Sequence, residues 1–220
     1  MEPLELWTLC SANGIILDKD QIEGLFRYAK ELVYWNQQVN MISRRDEENV
    51  FVRHIIHSLT LLTIADIRQN ARCLDIGTGG GLPGIPIKLA RPDVRMTLTD
   101  SITKKVKMTE MFAKHTGLKG IEAKNIRVEE LANDKQYIGS FDVIMARAVA
   151  PISELVTWTF KLLKPKGSYV FLKGGDLTEE IADARRIYPN LDIEEHLITW
   201  RSVPWFEQEE KKVILAQFTR

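Results

Sequence analysis

Five glycines crowd into eight residues at Gly77, Gly79, Gly80, Gly81 and Gly84, directly after the apolar run Cys73-Leu74-Asp75-Ile76. That is more glycine than a tight turn needs, and its use is to let main chain approach a ligand closely. Two ligand classes compete for the loop. Gly79-x-Gly81-x-x-Gly84 satisfies the dinucleotide fingerprint, with Asp100 at about the expected 20 residues further on. The apolar run, however, stops at Ile76, which makes Gly77 the first loop glycine and the pattern Asp75-x-Gly77-x-Gly79-x-Gly81. A dinucleotide also needs free amides at the next helix N-terminus to receive its pyrophosphate, and Pro83 and Pro86 remove donors there. A zwitterionic amino-acid ligand needs fewer of them.

Asp100 closes the next apolar run, at the carboxyl edge where open α/β sheets bind ligands, and its carboxylate can accept from both hydroxyls of a ribose. Its alternative use is to cap the helix at Ile102, a task Ser101 could share. Asn125-Ile126-Arg127-Val128-Glu129-Glu130 follows the third run, at the edge where an adenine would lie. There Val128 can pack on the ring and Glu129 meet its polar edge, or Glu129 and Glu130 can simply open a helix. His54 and His57 stand three apart with no third ligand nearby, which favours packing or RNA contact over a metal site. Between Ile85 and Lys119 there are eight Lys/Arg against three Asp/Glu. Lys104, Lys105 and Lys107 in this run form either a solvated helix face or a phosphate-binding patch, which Arg44 and Arg45 would extend. Trp7, Trp35, Trp158, Trp200 and Trp205 read as packing residues.

These residues need a frame. From Arg72 onward short apolar runs alternate with helical stretches, the pattern of βαβ units and a mostly parallel sheet of six or seven strands. The strands are expected at 72–76, 95–99, 121–124, 141–146, 168–172 and 212–218, with a doubtful one at 193–199; helices are expected at 85–90, 102–116, 152–163 and 178–187. Lys164-Pro165-Lys166-Gly167 is expected to be a turn between a helix and a strand. Residues 1–65 read as a helical N-terminal segment and 66–220 as the sheet domain. Asp18 with Gln21 forms a capping box, and Ser43 or Asp46 is expected to cap a helix running through Leu62.

The 220 residues carry 30 basic and 30 acidic side chains, so no global field attracts nucleic acid or a membrane surface, and any RNA contact must use a local patch. Cys10 and Cys73 lack metal-ligand spacing and read as buried small hydrophobes in a reducing, cytoplasmic compartment. The acidic start at Met1-Glu2-Pro3-Leu4-Glu5 does not fit a signal peptide, and no apolar stretch is long enough for a membrane span.

Asp75-x-Gly77-x-Gly79-x-Gly81 resembles methyltransferase motif I, and the chain as a whole resembles the RsmG family, also called GidB, the bacterial 16S rRNA guanine-N7 methyltransferases. The likeness rests on Asp75–Gly79, Gly81–Pro86, Asp100-Ser101 with Lys104-Lys105, Arg127–Glu130, Ala146–Ala148, Leu172–Gly174, Trp35-Asn36, Val39-Asn40 and Arg53–Ser58. The chain departs from the family pattern at His57, where the pattern has Asp. The resemblance implies a Rossmann-like class I methyltransferase fold with helices on both faces of a seven-stranded sheet. It also implies S-adenosyl-L-methionine as cofactor, held by Gly77, Gly79, Leu82, Asp100, Ser101, Val128, Glu129 and Arg147.

Methylation at N7 uses a ring lone pair and has no proton to remove first, so no catalytic base is expected, and positioning should supply most of the rate. No Asn-Pro-Pro-Tyr motif follows the fourth strand, where Arg147 stands instead. Arg147 could hold the cofactor carboxylate, an RNA phosphate, the O6 and N7 face of guanine, or a structural acid. Arg44, Arg45, Lys104, Lys105 and Lys173 are the candidate RNA contacts. The expected partner is 16S rRNA or the small ribosomal subunit, with the protein acting as a monomer without metal or membrane. Methylation of a small molecule, NAD(P)-dependent oxidoreduction and a non-catalytic binding role are the alternatives.

Overall fold

Alternation along each strand sends side chains to opposite faces of a sheet, and here both faces are apolar. On β1 (Arg72–Ile76) Cys73 joins one buried cluster while Leu74 and Ile76 join the other. On β4 (Phe141–Arg147) Val143 and Met145 divide from Ile144 and Ala146 in the same way. The computed structural model describes residues 1–219. Its remaining strands are β2 (Arg95–Asp100), β3 (Ile121–Asn125), β5 (Leu163–Gly174), β6 (Leu191–Leu197) and β7 (Lys211–Phe218). They form one sheet in the order β3-β2-β1-β4-β5-β7-β6. The pairings from β3 across to β5 are parallel, and β7 runs antiparallel to both its neighbours. The chain winds outward from β1 in one direction and then from β4 in the other. The carboxyl ends of β1, β2 and β4 therefore border a crevice.

Helices cover both faces, as expected. The N-terminal helices α1 (Pro3–Ala12) and α2 (Lys19–Asn36) lie on the side of Cys73 and Met96, so that Leu25, Tyr28 and Leu32 share one core with the sheet. The capping box of α2 is formed on both sides: Gln21 N–H donates to Asp18 Oδ1 and Asp18 N–H to Gln21 Oε1, each at 2.8 Å. Residues 44–63 depart from the single regular helix expected there. A 3₁₀ turn (Arg44–Asn49), a π turn (Phe51–Ile56), the short α3 (His57–Leu59) and a second 3₁₀ turn (Thr60–Thr63) follow one another. Asp46 does not cap this segment, because its carboxylate is engaged by Arg53. Ser43 holds the capping position without a side-chain bond. A π turn rotates the following side chains off the regular helical face, and this one carries Arg53 and His54.

The crossover helices are α4 (Gly84–Ala90), α5 (Thr103–His115), the short α6 (Val128–Leu131), α7 (Ile152–Thr159) and α8 (Thr178–Ile187), with α9 (Trp205–Gln208) before β7. Lys164–Gly167 is not a separate turn. It is an irregular excursion inside β5, between the register pairs Phe141–Leu163 and Val143–Ser168, and Lys164 Nζ meets both oxygens of Asp142 at 2.9 Å there. The strand that sequence left doubtful is β6, pairing with β7 along its whole length. Cys10 and Cys73 are buried and unpaired, with burial pushing both thiols up to about 12. Among the described residues no helix is long and apolar enough to cross a membrane.

Candidate functional site

The glycine loop is braced from inside the protein. Asp75 is fully buried, and its Oδ2 accepts from Thr78 Oγ1 at 2.6 Å and from Gly84 N–H at 2.9 Å, tying the end of β1 to the start of α4. Burial pushes its pKa up to about 7 against the opposing pull of those two bonds, and Oδ1 has no partner. Two further bonds hold the loop from outside the strand: Tyr28 Oη–H to the Gly80 carbonyl at 2.9 Å and Thr109 Oγ1–H to the Gly79 carbonyl at 3.0 Å.

The start of α4 offers a ligand little. The Gly84 amide is spent on Asp75 and the Ile85 amide on the Gly81 carbonyl at 2.7 Å, while Pro83 and Pro86 have none. A pyrophosphate would find no donor there. Glycine is required at Gly77 itself, whose φ is +60° and where an added Cβ would come within 2.8 Å of Val149 Cγ2.

Asp100 takes up its expected place at the entry to α5 and also braces the glycine loop. Its Oδ1 accepts from Ile102 N–H at 2.8 Å at the entry to α5, and its Oδ2 accepts from Gly79 N–H at 2.9 Å, binding the end of β2 to the glycine loop. Asp100, Ser101, Val128, Glu129 and Gly77 border a cavity of about 160 Å³ that Val149 closes on one side.

A second cavity, of about 520 Å³, shares Gly77 and Val149 with the first and is also lined by Gly79, Leu82 and Arg147. Its other walls come from elements far apart in sequence. Arg147 Nη1–H donates to His54 Nδ1 at 2.7 Å, and His54 Nε2 lies 3.4 Å from Asp46 Oδ2. Because a guanidinium only donates, His54 must accept at Nδ1 and carry its proton on Nε2. Burial first, and the Arg147 charge second, push the His54 pKa down to about 3, so the ring is neutral. Burial likewise holds His57 well below its ordinary value, with its ring edge-on to Trp205. Among the described residues the cavity is lined by the cations Arg53, Lys105, Arg147 and Lys211 and by a single carboxylate, that of Asp46.

All eight residues expected at the cofactor thus border one or other of two adjoining cavities. The candidate RNA contacts divide. Lys105 lines the larger cavity, Lys104 is exposed on the same helix, and Arg44 and Arg45 are exposed on the 3₁₀ turn beside Asp46. Lys173 is a correction: its ammonium is taken by Glu180 and the Ala150 carbonyl, so it holds the loop after β4 instead of facing a phosphate. Lys88, within the basic run, is buried and bonds the Pro92 and Val94 carbonyls. Sequence reasoning missed Asp46 and Lys211. It also counted Trp205 as packing, whereas that ring lines the larger cavity with Arg53 and Lys211 lying 5.9 Å and 5.3 Å from its centroid. The Arg53–Ser58 block was visible in the sequence, but nothing in it marked His54 as the partner of Arg147.

The family model for GidB, described as rRNA small subunit methyltransferase G, matches residues 21–204. The chain is 43% identical to the ribosomal RNA small subunit methyltransferase G of Chlorobaculum tepidum, an alignment covering 80% of this chain and 79% of that one. With the protein of the same name from Chlorobium limicola it shares 37% identity, over 96% and 95% of the two chains. Among solved structures, TrmN from Thermus thermophilus aligns with a TM-score of 0.58 at 18% identity, covering 75% of this chain and 49% of that one. The ribosomal protein L11 methylase from Lactobacillus delbrueckii subsp. bulgaricus aligns at 0.56 and 17%, covering 76% and 79%. These likenesses extend the Rossmann-like α/β fold to proteins of little shared sequence.

Proposed function

Because the chain belongs to the GidB family of small-subunit rRNA methyltransferases, we propose that it transfers a methyl group from S-adenosyl-L-methionine to N7 of a guanine in 16S rRNA, by direct attack without a general base. The observation that carries this reading is the pair of cavities meeting at Gly77 and Val149, one bordered by Asp100 and Val128 and the other by four cations.

The residues present fit that cofactor. Gly77 borders both cavities, the carboxylate at the β2 edge suits a ribose, and the absence of free amides at α4 suits a ligand without pyrophosphate. Asp100 and Ser101 would hold the ribose, Val128 and Glu129 the adenine, and Gly77, Gly79, Leu82 and Arg147 the amino-acid end. When bound, the cofactor supplies an electrophilic methyl group on a sulfonium. The chain's own contribution is to orient and desolvate. Val149 and Gly77 form the partition beside which the acceptor nitrogen must come, and the cations of the larger cavity favour a base presenting acceptors, as guanine does with O6 and N7. His54 and His57 are held neutral by burial, and N7 has no proton for either to take.

RNA would approach over Arg44, Arg45, Lys104 and Lys105. In this reading the protein works as a monomer, without a metal ion, in the cytoplasm. The test is methyl transfer from labelled S-adenosylmethionine to small subunits from a host lacking the gene, followed by mapping of modified nucleosides. One new 7-methylguanosine in 16S rRNA is expected; a methyl group on another base position, or none, refutes the reading.

A further inference from the structure

We propose that Asp46 selects guanine by accepting hydrogen bonds from its N1–H and 2-amino group; the inference rests on the guanine reading above. Among the described residues Asp46 is the only carboxylate lining the larger cavity, where every charged neighbour is a cation. It is therefore the one ionised wall group that can only accept. The N1–H and 2-amino group of guanine form a pair of adjacent donors that matches the two oxygens of a carboxylate, as an arginine fork does.

The position suits that edge. Ala146 is the register partner of Ile76, so Arg147 follows directly beside Gly77. Asp46 is set off from Arg147 by the full width of the His54 ring, with 2.7 Å on one side of the imidazole and 3.4 Å on the other. A purine whose N7 points toward Gly77 turns its N1 and 2-amino edge away from Gly77, toward the wall that Asp46 occupies. Arg53 pairs with Asp46 Oδ1 and fixes the carboxylate, leaving that oxygen a second lone pair, while Oδ2 has only the His54 Nε2 contact at 3.4 Å, so both oxygens keep capacity to accept.

Adenine in the same orientation would put a lone pair at N1 and a C–H at C2 against this carboxylate, leaving it unpaired and repelled. Attack by N7 draws electron density from the purine, which makes N1–H and the 2-amino group better donors. The contact therefore strengthens toward the transition state and acts on kcat as well as on KM.

The experiment replaces the mapped acceptor guanosine with inosine, which keeps N7, O6 and N1–H and lacks the 2-amino group, in reconstituted small subunits. Wild-type kcat/KM should fall roughly 10- to 100-fold on inosine, the loss expected for one charge-assisted hydrogen bond. Asp46→Asn should lose a similar factor on guanosine, bind S-adenosylhomocysteine as the wild type does, and lose no more than about threefold further on inosine. Two losses that multiply would overturn the assignment, since they would show that Asp46 does not touch the missing group. Equal wild-type rates on guanosine and inosine would overturn it without recourse to any variant. A wild-type protein that methylates no guanine of the subunit defeats the underlying function itself, an outcome read from the guanosine arm alone.

Discussion

Arg147 donates from Nη1 to Nδ1 of His54 at 2.7 Å, a bond the imidazole can accept only while that nitrogen is unprotonated. With the His54 pKa pushed down to about 3 and that of His57 also well below the ordinary value, neither ring changes charge near neutrality. The pH–rate profile of methyl transfer is therefore expected to show no histidine limb between about pH 6 and 8, and any inflection near 7 should follow Asp75. A limb near the ordinary histidine pKa that vanishes in His54→Gln or His57→Gln would contradict direct attack by N7.

Burial of His54 and of Asp75 should bend the stability curve in opposite directions. The folded pKa of Asp75, about 7, lies above the ordinary 3.8. Its contribution is fully present below the unfolded value and lost as pH rises through about 7. His54 has a folded pKa of about 3, below the ordinary 6.5. Its contribution is present above 6.5 and lost as pH falls toward about 3. Denaturant melts at a series of pH values should show Asp75→Asn gaining on the wild type between about pH 4 and 7, by a few kcal/mol at most. His54→Gln should gain on it as pH falls below about 6. A difference curve of the opposite sign for either variant would show that the group is not buried in its charge-disfavouring setting.

Asp100→Ala should weaken S-adenosylhomocysteine binding by about 1–3 kcal/mol, the cost of charge-assisted hydrogen bonds lost at a mostly buried site. The same carboxylate holds Gly79 N–H and Ile102 N–H, so a fall in melting temperature of the unliganded protein should accompany it. Calorimetry that finds unchanged affinity would reduce Asp100 to a bracing and capping role. Tight NADH binding in the same instrument would overturn the choice of cofactor.

At Gly77 two penalties add. Gly77→Ala places a Cβ within 2.8 Å of Val149 Cγ2 in a backbone with φ +60°. Cofactor affinity should fall at least tenfold, and stability by about 1–2 kcal/mol for the left-handed conformation alone. Adding Val149→Ala removes the steric part only. Partial recovery of affinity in the double variant is expected, and full recovery would show that backbone strain contributes nothing.

Replacing Lys104 and Lys105 together with Gln should flatten the logarithmic salt dependence of RNA binding by about 1–1.5, close to two released counterions on single-stranded RNA. Adenosylmethionine affinity should stay nearly unchanged. If both affinities fall together, the pair belongs to the cofactor pocket. If neither moves, Arg44 and Arg45 carry the RNA surface.

The sequence by itself determined the sheet, the glycine loop and the β2 acid. These depend on local patterns: short apolar runs that become β1 and β4, buried on both faces, prolines that strip amides from α4, and an acid placed where a strand ends. Even Asp18 and Gln21 could be paired from their spacing, because a capping box closes within one turn. The larger cavity could not be read in that way. His54 and Arg147 are 93 positions apart, and Asp46 reaches Arg147 only through that ring. Trp205 and Lys211 arrive from the far end of the chain to close the wall. Lys173 shows the same limit from the other side: a basic residue in a family motif is drawn to Glu180, a partner that α8 brings within reach. Local sequence fixes which residues share a strand face or a helix turn, since short chain segments leave few geometries. Which charges neutralise one another and which remain facing a ligand depends on contacts between distant elements, and those form only when the N-terminal helical segment and the C-terminal strand close over the sheet edge.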